Sequence, residues 1–287
     1  MAGDTAHEER VRFCLEHGVA HWREGDVRLL AETLVRGPEG VLDLRRGESR
    51  LVASLVEKAD SEIDCAELVP LGLVGDEDRA LLTDAVAWAH ALATTGARSV
   101  LSVPLGPRLA AHRAWLMGLG FALAHESLTM TTPDATFPDV PPPEGTAFVD
   151  WHPGVAAEVV DQMIRRAFVG IPGIMVMDVA SLRERLRTAI PPARVLMAGD
   201  ALVGLARTRV PDSDGTGFIH LLVREPTWKG RGVGPALLAE ACRVLVAHGA
   251  QRFQLDVASK NARAIALYTQ SGFATTSTEA SFVRPLR

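Results

Sequence analysis

Lysine, cysteine and tyrosine are all scarce in this chain of 287 residues, and each scarcity is informative. Only Lys58, Lys229 and Lys260 stand beside twenty-seven arginines, and acidic residues outnumber basic ones, for a net charge of -5. Without a basic excess, no phosphate-tracking surface is expected, so neither nucleic acid nor membrane is an expected partner. The three cysteines, Cys14, Cys65 and Cys242, are odd in number, far apart and without metal-ligand spacing. That argues against a disulfide framework and a metal site, and predicts a reducing, cytoplasmic compartment. No uninterrupted apolar run is long enough to cross a bilayer. Met1 to Arg12 is polar and acidic with no apolar segment, so no signal peptide is expected. Tyr268 is the one tyrosine.

What is present describes a globular chain. Hydrophobic residues make up 47% and charged residues 23%, enough to bury a real core. The length exceeds the usual single domain, which predicts two. Five of the seventeen prolines fall between Thr131 and Gly145. Proline lacks an amide donor and restricts its predecessor, so this stretch reads as an extended linker. The expected division is 1–130, a linker at 131–145, and 146–287.

One pattern is written twice. Ala80 to Ala93 reads as a helix, followed by Gly96-Ala97, a strand from Ser99 to Val103, a helical stretch ending Leu116 to Phe121, and strand-like residues to Met130. In the second half, Ala236 to Ala247 reads as a helix, followed by Gly249-Ala250, a strand from Phe253 to Val257, a helix ending Leu267 to Phe273, and a strand near Ser281 to Arg284. The shared order, with Gly-Ala and Gly-Phe landmarks, points to duplication and divergence. Upstream, Glu158 to Phe168 and Ser181 to Ala189 have helical spacing, and Gly199-Asp200 marks a hairpin. The fold class is therefore mixed α/β: two tandem domains, each a twisted mixed sheet flanked by helices.

The strand from Gly217 to Val223 leads into a glycine loop, Arg224 to Gly234, and through Pro235 into a helix. Alternate glycines turn the backbone tightly and aim its amides at an anion, and the helix N-terminus adds partial positive charge. Lys229 and Arg231 add full charges. A pyrophosphate cradle and a bare strand-to-helix turn both fit this loop. Gly230, Gly232 and Gly234 run G-x-G-x-G, which is not the dinucleotide fingerprint. The Gly-Lys-Ser/Thr of a phosphate-binding P-loop is absent.

A second motif decides the matter. Lys229, Gly232 and Gly234 follow an R/Q-x-x-G-x-G/A loop with lysine at its first position. Asn261, Ala264, Leu267, Tyr268, Gly272 and Phe273 follow N-x-x-A-x-x-L-Y-x-x-x-G-F. Together they resemble the acetyl-CoA-binding core of the GNAT superfamily of N-acetyltransferases, and the paired layout is similar to tandem GNAT proteins of the mycothiol synthase kind. The resemblance implies acetyl-CoA as co-substrate, no metal, and direct attack by an amine in a ternary complex. A small-molecule amine is favoured over a protein, and amino-sugar, antibiotic, polyamine, amino acid and protein N-terminus all stay open. Lys229, Gly230, Arg231, Gly232, Val233 and Gly234 would hold the pyrophosphate, Leu222 and Val223 the pantetheine arm and thioester, and Asn261 the pantetheine side. Tyr268 falls at the general-acid position; the rival reading is a core aromatic. For the base, His220, Asp256, Glu225 and a water chain stay open. The connection from Val223 to Lys229 is a residue longer than the family's, which leaves the strand register open. The apolar stretch Phe168 to Met177, with Met175 and Met177, is either an acceptor wall or a core loop. In the first half, Gly75 to Arg79 carries three carboxylates where the glycine loop stands, and Leu116 and Leu109 take the places of Tyr268 and Asn261. One active site per chain is expected, in a monomer or homodimer. A non-catalytic acyl-CoA sensor is the rival function.

Overall fold

The computed structural model describes residues 2–17, 40–58, 65–76, 78–96, 98–172 and 178–286. In chain order these form α1 (Ala2–His17), β1 (Val41–Arg46), β2 (Ser49–Lys58), β3 (Cys65–Val74), α2 (Asp78–Thr95), β4 (Val100–Leu105), a 3-10 turn at Pro107–His112, α3 (Arg113–Gly118) and β5 (Ala122–Thr131). Then follow β6 (Ala147–Asp150), α4 (Ala157–Ala167), α5 (Val179–Arg187), β7 (Arg194–Ala198), β8 (Ala201–Arg209) and β9 (Thr216–Arg224). A 3-10 turn at Pro226–Trp228 leads to α6 (Val233–Ala247), β10 (Arg252–Ala258), α7 (Ala262–Gln270) and β11 (Ala274–Pro285). The order of helices and strands expected in both halves is therefore the order observed, in a mixed α/β fold.

Contacts divide the chain into two compact units: Met1–Glu126 with Thr278–Arg287, and Ser127–Ser277. Each unit takes its closing strand from the other half of the sequence. In the first, β4 pairs antiparallel with Ala280–Pro285 of β11. In the second, β10 pairs antiparallel with Ser127–Thr131 of β5. The proline-rich residues 131–145 lie within the second unit. There Thr132 exchanges bonds with Phe253, its amide donating to the Phe253 carbonyl at 3.0 Å and its Oγ1 accepting from the Phe253 amide at 2.9 Å. Phe137 meets Phe253 edge-on at 5.9 Å.

In the second unit, β6 to β9 run antiparallel in sequence order, and α6 crosses over to place β10 parallel to β9. The sheet carries a helix layer on each face. α6 and α7 bury Leu237, Leu238, Ala241 and Tyr268 in one core. α4 and α5 bury Val160, Met163, Leu182 and Leu186 against Leu205 and Val223 in another. Gly204 on β8 allows α6 to lie close, because a Cβ there would stand 2.9 Å from the Leu237 side chain and 3.1 Å from the Val223 carbonyl oxygen. The Gly-Phe landmarks are helix ends. Gly120 and Gly272 have φ of 83 and 90. The next amide in each case closes back, Phe121 onto the Leu116 carbonyl and Phe273 onto the Tyr268 carbonyl, and both phenylalanines are buried. A left-handed glycine costs no Cβ clash there and turns the aromatic into the core.

Two irregularities recur in both units. On β9, Arg207 faces Leu221 while Thr208 faces Ile219, so His220 is an extra residue, a β-bulge. On β3, Val52 faces Gly72 while Ala53 faces Pro70, so Leu71 is the extra residue. The parallel pairs also part company. β9 and β10 stay in register only from Thr216/Arg252 to Ile219/Leu255, and β3 and β4 only from Cys65/Val100 to Glu67/Ser102. After the bulge, β9 stays in regular register with β8 through Val223 and Arg224.

Candidate active site

Where β9 and β10 diverge, Leu222, Val223 and Arg224 still pair with β8 on their other side, while Asp256, Val257 and Ala258 pair with β5. The two facing backbone edges no longer serve each other. A cavity of about 560 Å³ opens here. Its walls bring together six residues expected from sequence: Leu222, Val223, Lys229, Gly234, Asn261 and Tyr268. Residues separated by up to forty-six positions thus converge on one space.

The loop explains its glycines. Gly230 and Gly232 have φ of 79 and 77, a region that costs an L side chain about 1–2 kcal/mol. Gly232 is the N-cap of α6, with no side-chain cap, and Pro235 sits in the first turn, where a missing amide costs nothing. The amides of Val233 and Gly234 have no partner within the helix. The helix dipole adds partial positive charge at the same point. Val233 is a buried core residue whose contribution is its backbone. Arg231 lies with its guanidinium 5.1 Å above the Trp228 ring, so it is held beside the loop by a cation–π contact.

Asn261 divides its functions. Its Oδ1 caps α7 by accepting from the Ala264 amide at 3.3 Å, and its Nδ2 has no partner among the described residues. Tyr268 follows two turns later. It is buried, packs at 5.9 Å from Phe273, and has its pKa pushed up to about 12 by that burial. A phenol so placed stays protonated throughout the physiological range.

His220 does not line the cavity. It is exposed at the bulge, its ring edge-on to Phe218 at 4.6 Å. Asp256 accepts from the Thr129 hydroxyl at 2.8 Å. Glu225 accepts two bonds from Arg166, at 2.7 and 3.3 Å. Phe168, Val169 and Ile171 do line the cavity, while Gly173 to Met177, with Met175 and Met177, fall outside the described residues.

Sequence reasoning missed most of the charge. Arg166, Arg224, Lys260 and Arg263 join Lys229 on the wall, and no carboxylate is among the lining residues. Arg224 has its pKa pushed down, first by burial and then by the neighbouring Arg263 charge. Arg166 is already paired with Glu225, and the other four cations around one space favour an anionic occupant. A signal was available for two of them: Lys260, one of only three lysines, precedes Asn261, and Arg263 lies inside the second motif.

The corresponding place in the first unit is built differently. Gly75 follows β3 with φ 96, and a Cβ there would fall 2.2 Å from the Ser49 Oγ. Asp78 opens α2 directly and its carboxylate lies 2.9 Å from Nε2 of the buried His112. Leu109 and Leu116 are core residues. Of the three expected carboxylates, Glu77 lies outside the described residues.

Residues 177–273 match the acetyltransferase (GNAT) family model. The chain is 37% identical over 126 residues to a mycothiol acetyltransferase from Beutenbergia cavernae, a match covering 42% of each protein. It is 31% identical over 181 residues to one from Catenulispora acidiphila, covering 60% of this chain and 56% of that protein. The chain thus spans about half the length of these two relatives. With the mycothiol acetyltransferase of Kineococcus radiotolerans, identity is 30% over 301 residues, covering 98% of this chain and 90% of that protein. A tandem GNAT protein from the clavulanic acid biosynthesis pathway shares the fold at a TM-score of 0.70 and 16% identity, over 99% of this chain and 96% of that one. So does a GCN5-related N-acetyltransferase from Sphaerobacter thermophilus, at 0.67 and 18%, over 91% and 86%.

Proposed function

We propose that this chain, which belongs to the GNAT acetyltransferase family, moves an acetyl group from acetyl-CoA to the amine of a small molecule within a ternary complex. The observation that carries this is the convergence of the α6 N-terminus, the unserved backbone edge at Leu222 and Val223, and the buried phenol of Tyr268 on one cationic cavity. In this reading the pyrophosphate rests on the amides of Val233 and Gly234, with Lys229 supplying charge. Gly230 and Gly232 shape the loop, and Arg231 adds longer-range charge. The pantetheine arm extends along the β9 edge as an added strand, with Asn261 Nδ2 on its other side.

The chemistry then follows from position. The amine nitrogen attacks the thioester carbon, and the oxyanion is met by a backbone amide of the β9 edge at Leu222 or Val223. Collapse of the intermediate breaks the carbon–sulfur bond. The departing thiolate takes the proton of Tyr268, and the phenol is restored by a proton that the amine has lost. His220 is the candidate base, two residues before Leu222 in the bulge. Because it does not line the cavity, a proton reaching it passes through water. Asp256 accepts from Thr129 and Glu225 from Arg166, and a water chain to solvent is the alternative to His220.

The test is release of free thiol from acetyl-CoA with a panel of amines. Acceptor-dependent release that tracks acetylated product supports the reading. A thermal shift with acetyl-CoA but no turnover with any amine would support the sensor instead. A His220→Ala enzyme whose acidic limb of kcat/KM is unchanged would exclude His220 as base.

A further inference from the structure

Three of the five arginines on the strands of the second unit are matched to acids, and the two that are not are informative. Arg194 pairs with Glu240 and Asp150, Arg209 with Asp212, and Arg252 with Asp214. Arg224 faces the cofactor cavity and donates to the carbonyls of Glu225 and Pro226. Arg207, half-buried on β8, has no carboxylate partner among the described residues. Burial, and after it the like charge of Arg185 at the end of α5, pushes the Arg207 pKa down. A desolvated guanidinium beside a like charge is costly unless an anion arrives to meet it.

Its position says where such an anion would stand. Arg207 is directly across from Leu221 and, two residues along, Leu205 is across from Val223. Residues two apart on a strand share a face, so Arg207 sits on the α4 and α5 side with Leu205 and Val223. Arg207 stands just outside the cavity lining, as a diagonal neighbour of Val223 at a spacing of about 7–8 Å between such positions, and Val223 is a wall of the cavity. The bulge at His220 lies beside it. The α6 side of the cavity is where the cofactor's phosphates fit, so the amine must approach from the side of α4, where Phe168 and Ile171 form the wall.

We propose that Arg207 is the seat for a carboxylate on the acceptor, so that the acceptor class is an amino acid or another carboxylate-bearing amine. This rests on the acetyl transfer proposed above and narrows its substrate. The guanidinium fork takes a carboxylate bidentately, fixing the acceptor while its amine faces the thioester.

The experiment compares α-, β- and γ-amino acids with their carboxamides and with the matching aminophosphonates, in the unaltered protein and in Arg207→Gln and Arg207→Lys, with acetyl-CoA affinity measured separately. The expected result is a preference for carboxylate over carboxamide of about tenfold to hundredfold in kcat/KM. Arg207→Gln abolishes that preference, chiefly through KM, and Arg207→Lys retains part of it. Acetyl-CoA affinity and turnover of the carboxamides stay unchanged. Because the substitution removes an uncompensated charge, the Tm of Arg207→Gln is equal or higher. Equal use of carboxylate and carboxamide, a better phosphonate, an equal loss for both acceptors in Arg207→Gln, or a lowered Tm would each overturn the proposal. So would an enzyme that binds acetyl-CoA yet acetylates only uncharged amines. Failure of the unaltered protein to bind acetyl-CoA overturns the acetyl transfer itself.

Discussion

The two units share a frame and differ in what stands at one helix end. Both have a bulged strand, a parallel partner that separates from it after a few residues, and a last helix closed by Gly-Phe. In the second, eight residues from Glu225 to Gly232 connect the strand to α6 and leave its N-terminus facing a cavity. In the first, only residues 75–77 separate β3 from α2, and the first-turn carboxylate of Asp78 is already engaged with His112. A helix N-terminus attracts one negative charge from whatever source is nearest. Where the protein supplies that charge itself, a ligand phosphate has nothing to gain. Divergence of the strands is therefore a property of the fold, and the proposed binding site is a property of the loop.

The largest test of this contrast is Tyr268→Phe. We expect kcat to fall by about 10²-fold or more, with acetyl-CoA affinity unchanged, because the ring still fills its place against Phe273. Unaltered turnover would make Tyr268 a core aromatic like Leu116 and erase the chemical difference between the units. Next comes Gly232→Val. Forcing a β-branched residue to φ 77 should weaken acetyl-CoA about tenfold, read by calorimetry, and lower Tm by a few degrees. Gly75→Ala should lower Tm through its clash with Ser49 and leave acetyl-CoA binding alone.

A third test is stoichiometric. Calorimetry should give one acetyl-CoA per chain, and Asp78→Ala should still give one, since that change removes a carboxylate without adding a loop. The same variant leaves His112 without its partner and should cost about 1–2 kcal/mol of stability. Two sites in either protein would break the comparison.

The smallest effect is the cleanest to read. With a single tyrosine, absorbance at 295 nm reports one group, and we expect its midpoint well above 10, at about 12. The sign for stability follows. Between pH 10 and 12 the unfolded chain has lost the phenolic proton while the folded one keeps it, so stability is full below pH 10 and falls as pH rises through 12. Tyr268→Phe should lack this fall. A midpoint at 10 would place the ring in solvent.

What the sequence disclosed was local or carried by motif spacing. The Gly199-Asp200 turn, the α6 loop and the Gly272-Phe273 helix end each depend on neighbours within a few residues, and each was legible. The bulge at His220 left no mark in the sequence, because register is set by the partner strand. The Arg166–Glu225 pair spans fifty-nine positions, and nothing near either residue announces the other. The exchanged strands were hidden for the same reason. Neither β5 nor β11 alternates cleanly between buried and exposed residues, and nothing along either strand says which sheet receives it.

That exchange has a consequence for how the chain comes into being. The first unit is translated early, but the strand that pairs with β4 is β11, supplied by Ala280–Pro285. Until those residues leave the ribosome, β4 presents an open edge, the kind of edge that invites pairing with a neighbouring chain. The first unit is thus the first begun and the last completed. A truncation before Thr278 would spare most of the cavity around Tyr268 and instead strip a strand from the first unit.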